Sequence, residues 1–122
     1  MMTRAITLGI AYLQTQQQAD GSFISLSSSD PYDFTRALRY KAVFPTALIL
    51  SCLQTLNETP ALRKIKQKAS TFLLTQKSED WSYNYWQRGS KEARTMPYPD
   101  DLDDTFCSLA ALYKHDPTVI DG

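Results

Sequence analysis

Apolar residues along this chain recur mostly three and four positions apart, the period of a helix with one buried face. Ile6, Ile10 and Leu13, with Gly9 and Tyr12, make such a stripe near the start. Asp20-Gly21 then supplies the turn chemistry that ends the first predicted helix. Residues 44–56 are apolar almost all round, which predicts a deep helix with Pro45 in its first turn. Thr59-Pro60 reads as an N-cap followed by proline at the first helical position. Leu62, Ile65, Ala69, Phe72 and Leu73 give the third helix a buried face, and Arg63, Lys64, Lys66 and Lys68 line a solvated one. A fourth helix starts within an aspartate cluster and is expected to bury Phe106, Leu109, Ala110 and Leu112. No alternating strand pattern of useful length is visible, so the expected fold class is all-α.

The pattern repeats. Tyr12-Leu13-Gln14-Thr15-Gln16 aligns with Phe72-Leu73-Leu74-Thr75-Gln76 at an offset of 60. The same offset pairs Asp20 with Asp80, Ser22 with Ser82 and Phe23 with Tyr83. Further on, an offset of 59 pairs Thr46 with Thr105, Leu50 with Leu109 and Leu53 with Leu112. Each unit is a helix, a polar turn, a variable loop and a second helix, over about 3–57 and about 60–115. Polar-backed helices suit an outer layer and nearly all-apolar ones an inner layer. Two such hairpins make an arc whose open edges need more chain, an oligomer or a partner.

At 122 residues the chain fits one small domain, 1–122. Lys plus Arg and Asp plus Glu are equal at 13 each, so no net field draws it to nucleic acid. Cys52 and Cys107 lie in apolar helical runs without metal-ligand spacing and read as reduced core residues. A single histidine, His115, argues against a conventional zinc site or a Ser-His-Asp triad. The apolar run 5–13 is too short to span a membrane, and the glutamines at 14 and 16–18 replace a signal-peptide cleavage site. Asp116-Pro117 looks like the start of another helix shortly before Gly122, as in a fragment or a domain needing partner segments.

The chemistry concentrates at Asp100-Asp101-Leu102-Asp103-Asp104-Thr105, after Met96-Pro97-Tyr98-Pro99. Four carboxylates in five residues repel one another, and a cap accounts for one or two of them. Such crowding can keep one carboxyl protonated near neutrality, able to give a proton to a poor base. In the internal alignment Asp103 and Asp104 face Phe44 and Pro45, so the first copy makes the same helix without carboxylates. Trp81, Tyr83, Tyr85 and Trp86 lie just upstream and could supply aromatic faces to a cation or simply pack the loop.

Tyr12-Leu13, Gln17, Gly21 and Phe23 follow a pattern that resembles the QW-type repeat of terpenoid cyclases and protein prenyltransferase subunits. The second copy, Lys68-Ala69, Phe72-Leu73 and Gln76, has Trp81 where the glycine stands. Asp101-Leu102-Asp103-Asp104-Thr105 resembles the DxDDT motif of class II cyclases, squalene-hopene and diterpene types included. The resemblance implies an arc of an (α/α) barrel or toroid and protonation-initiated cyclisation of a linear isoprenoid. By position Asp103 would be the general acid, flanked by Asp101 and Asp104, with Trp81, Tyr83, Tyr85 and Trp86 as cavity candidates. No metal is expected on that reading.

Asp100-Asp101-Leu102-Asp103-Asp104 also satisfies DDxxD, by which class I synthases bind Mg2+ and a diphosphate. Pro97 and Pro99 put the cluster at a helix start, which suits class II better. A prenyltransferase β-like subunit would need zinc ligands, and Cys107 and His115 face different ways on one helix. Class II enzymes join two helical barrels around the acid, so an open arc implies completion by more chain or an oligomer. The alternative is a non-catalytic helical repeat module that binds an apolar ligand or a partner protein. The expected location is cytoplasmic, or peripheral to a membrane, although this segment carries no basic anchor.

Overall fold

The computed structural model describes residues 2–120, with Met2 as backbone only. Met1, Asp121 and Gly122, at the ends of the expected domain, lie outside the described residues. The elements are α1 (Met2–Gln16), β1 (Ser25–Ser27), β2 (Leu38–Tyr40), α2 (Phe44–Leu53), α3 (Pro60–Gln76), α4 (Lys91–Thr95) and α5 (Leu102–His115). A single turn of 3-10 helix follows at Pro117–Val119.

The all-α expectation is therefore corrected. Five α-helices are joined by a two-stranded antiparallel sheet, so the described chain is not plainly an all-α toroid. In that sheet Ser25 faces Tyr40, Leu26 faces Arg39 and Ser27 faces Leu38. Three residues per strand are too few for an alternation to show in sequence. The connecting loop is held by side chains: Asp30 Oδ1 accepts from Tyr32 N–H at 2.9 Å, and Asp33 Oδ1 from Thr35 N–H at 2.9 Å.

Helix starts follow the cap chemistry. Thr59 Oγ1 accepts from Leu62 N–H at 3.2 Å ahead of Pro60, and Pro45 occupies the first turn of α2. α1 packs on α3, α3 on α2 and α5, and α2 on α5. One core cluster joins Val43, Ala47 and Leu50 of the α2 region to Phe72 and Leu73 of α3 and Leu112 of α5. A second joins Ile10, Phe23, Leu53, Leu62 and Ile65. Full burial of a side chain such as Leu50 or Phe72 contributes about 1.5–3 kcal/mol.

Aligned positions of the two helix–turn–helix segments carry the same hydrogen bonds. Phe23 N–H donates to Thr46 Oγ1 at 2.9 Å, and Tyr83 N–H to Thr105 Oγ1 at 3.0 Å. Gln18 N–H donates to Ser22 O at 2.8 Å, and Ser78 N–H to Ser82 O at 2.9 Å. The aligned residues Gly21 and Trp81 both have positive φ, +94° and +62°. Gly21 needs its glycine twice over, because an added Cβ would lie 2.1 Å from Lys68 O.

Three burial expectations are also corrected. Phe106 and Ala110 are exposed, because α5 turns Asp104, Ser108, Ala111 and Leu112 inward instead. A buried aspartate sets that stripe, and Phe106, two residues on, points the other way. Lys66 is buried rather than solvated and pairs with Glu58 at 2.8 Å. Cys52 is exposed on α2 rather than part of the core, while both cysteines are free.

Candidate functional site

The loop between α3 and α4 carries the aromatic residues and is fixed at both sides. Tyr83 is fully buried; its hydroxyl donates to Leu73 O at 3.0 Å, and its carbonyl accepts from Asp101 N–H at 3.2 Å. Burial pushes the Tyr83 phenol up to about 12, against the opposing charge of Arg88. Tyr85 O accepts from Val43 N–H at 2.8 Å, and Gln87 N–H donates to Lys41 O at 2.9 Å, which ties the loop to the start of α2. Trp86 Nε1–H donates to Met96 O at 2.8 Å, and its ring meets Tyr85 edge-on at 4.7 Å between centroids.

These ties leave a cavity of about 450 Å³ lined by Phe44, Tyr85, Trp86, Tyr98, Asp101, Asp103 and Asp104. Of the sequence-derived candidates, all three aspartates, Tyr85 and Trp86 meet here. Trp81 and Tyr83 do not line it: Trp81 packs against the core with the Lys77 ammonium 4.4 Å from its ring centroid, and Tyr83 is inside the core. Phe44 and Tyr98 were not anticipated as walls. Their only signals were the alignment of Phe44 with Asp103 and the position of Tyr98 just before the cluster.

The aspartates differ in what holds them. Asp101 is the N-cap of α5, its Oδ1 accepting from Asp104 N–H at 2.7 Å. Asp103 is exposed. Asp104 is only 4% exposed and still lines the cavity. Burial, then the charge of Asp101, its hydrogen bond and the charge of Asp103 push the Asp104 carboxyl up to about 6. Asp100 is committed elsewhere. Asn84 Nδ2 donates to its Oδ1 at 3.1 Å, while Arg88 Nη2, at 2.9 Å, and the Ser82 hydroxyl donate to its Oδ2. Burial pushes the Asp100 carboxyl up, but these hydrogen bonds and the guanidinium charge outweigh it and hold it below the usual range.

Chemically, the cavity joins a carboxyl able to hold a proton near neutrality to an aromatic wall able to face positive charge. Asp100, spoken for by three donors, has little left for a metal ion in a DDxxD set. No helix among the described residues is long and apolar enough to cross a membrane. Comparison of the chain with protein-family models, with curated proteins and with solved structures finds no match.

Proposed function

We propose that the aspartate cavity is the proton-donating site of a class II terpenoid cyclase-like activity. The observation that carries this reading is a buried Asp104 carboxyl, beside the Asp101 cap, at the wall of an aromatic-lined cavity. An alkene is a very weak base, so its acid must be positioned, partly dry and still protonated at working pH. In the proposed step the Asp104 proton passes to one alkene carbon, whose π pair forms the new C–H bond. The cation left on the neighbouring carbon faces Phe44, Tyr85, Trp86 or Tyr98 until the next alkene closes a ring. The cyclic cation then loses a C–H proton to water or to the Asp104 carboxylate, its C–H pair forming the product alkene, and the proton count returns to zero.

The DxDDT resemblance points to Asp103 as the acid, whereas burial and the raised pKa favour Asp104. The two assignments separate in one experiment. The full polypeptide, with whatever segments complete the cavity, is incubated with squalene, an oxidosqualene or a linear prenyl diphosphate. Loss of cyclic product in Asp104→Asn, with product retained in Asp103→Asn, supports the assignment made here. The reverse result returns the role to Asp103. Product from both variants sinks the proposal.

A second reading has its own observation. α5 exposes Leu102 at 70%, Phe106 at 64% and Tyr113 at 56%, and α2 exposes Leu48 at 51%. A helical module that binds an apolar ligand without turnover would use such a face. Binding of a linear isoprenoid by the wild type and Asp104→Asn alike, with no product from either, would favour it.

A further inference from the structure

Arg88 touches three parts of the chain that border the aspartate site. Its Nε donates to Gln76 O at the end of α3, at 2.7 Å. Its Nη2 donates to Ser82 O at 3.3 Å and to Asp100 Oδ2 at 2.9 Å. Its backbone N–H donates to Gln76 Oε1 at 2.7 Å, and Gln76 is itself buried. Asp100 immediately precedes the Asp101 cap, so whatever holds Asp100 also sets where α5 begins.

We propose that Arg88 is a positioning residue of the aspartate site, fixing the start of α5 against the loop that carries Tyr85 and Trp86. The proposal rests on the reading of the cavity as a proton-donating site. Its side chain does not line the cavity. It acts through Asp100, whose Oδ2 it binds and whose charge it neutralises. The Arg88–Asp100 pair is partly exposed, 38% and 27% at the side chains, so it adds little to global stability. Its value is geometric. A guanidinium reaches three acceptors on separate segments with one rigid fork, which a lysine ammonium on a flexible stem does not reproduce. Asp104 shares the cavity wall with the titratable residues Asp101 and Asp103 from the start of α5 and Tyr85 and Tyr98 from the loops; among these lining residues none is cationic. The dryness of the site therefore depends on the loop and the helix start staying together.

The test is the titration of the Asp104 carboxyl, followed by carbon-detected NMR in the wild type and two variants. Arg88→Lys keeps the charge and loses the fork. Arg88→Gln combined with Asp100→Asn removes the pair at constant net charge. The expected result is a wild-type midpoint above the ordinary carboxylate range and a fall of about 1 pH unit or more in each variant, as water reaches Asp104. Unchanged midpoints in folded variants would overturn the proposal and leave Arg88 a structural residue. A wild-type midpoint in the ordinary range would overturn the acid assignment itself, and the role of Arg88 with it. Should the double variant not fold, Arg88→Lys alone decides.

Discussion

A methyl group placed on Gly21 would lie 2.1 Å from the Lys68 carbonyl oxygen, on a backbone already at φ +94°. Backbone atoms of a packed helix cannot move aside cheaply, so Gly21→Ala is expected to destabilise the fold by about 2–4 kcal/mol in urea unfolding. Gly9, exposed within α1 with nothing near its Cβ position, provides the control: Gly9→Ala should stabilise by about 0.5–1 kcal/mol. Asp104 makes the stability of the fold depend on pH. Its folded pKa, about 6, lies above the ordinary 3.8, so the folded state holds the extra proton between those values. Its favourable contribution is complete below pH ~4 and is lost as pH rises through ~6. Asp104→Asn should therefore be more stable than wild type by about 1–2 kcal/mol at pH 7–8, with the difference closing near pH 4. Chemical denaturation across that range checks both the size and the sign.

The segments that could be read in sequence are those whose own residues specify them. Thr59-Pro60 caps α3, and its stripe from Leu62 to Leu73 is buried as its spacing predicts. β1 and β2 escaped notice because three-residue strands carry no period, and the serines of β1 look like loop. The exposed side of α5 was misjudged because Asp104, a charged residue by type, occupies a core-facing position. The aspartate cluster was legible from its charge density alone. Its wall was not, since Phe44 and Tyr98 join it only through long-range pairing such as Val43 N–H to Tyr85 O. The matched bonds from Phe23 to Thr46 and from Tyr83 to Thr105 show how each turn is fastened to the following helix. Thr→Val keeps the shape and removes the acceptor, stranding a backbone N–H. At Thr46, fully buried, the expected cost is about 1–3 kcal/mol. At Thr105 the stranded N–H belongs to Tyr83, itself fully buried, so a cost of the same order is expected. A cost near zero at either site in urea unfolding would contradict the burial of these donors.

For the molecule as a whole, the two helices that border the cavity, α2 and α5, also expose apolar side chains. Leu102 and Phe106 sit on the helix that carries Asp103 and Asp104, and Leu48 lies on the neighbouring α2. A carbocation formed in this cavity would meet water unless the cavity mouth were covered, so the proposed chemistry demands a cover that the described residues do not provide. The uncovered face has a direct consequence in solution. The folded chain should enhance the fluorescence of an apolar dye such as ANS well below its unfolding temperature. Leu102→Gln combined with Phe106→Gln should remove roughly half of that signal while shifting stability by only about 0.5 kcal/mol, because both side chains are already exposed and no charge is added to the aspartate cluster. A large loss of stability would mean that these side chains pack in the native chain, and the cavity would then be closed without help. Unchanged stability with the dye signal reduced would leave the aspartate site on an open face, and turnover would require whatever covers it.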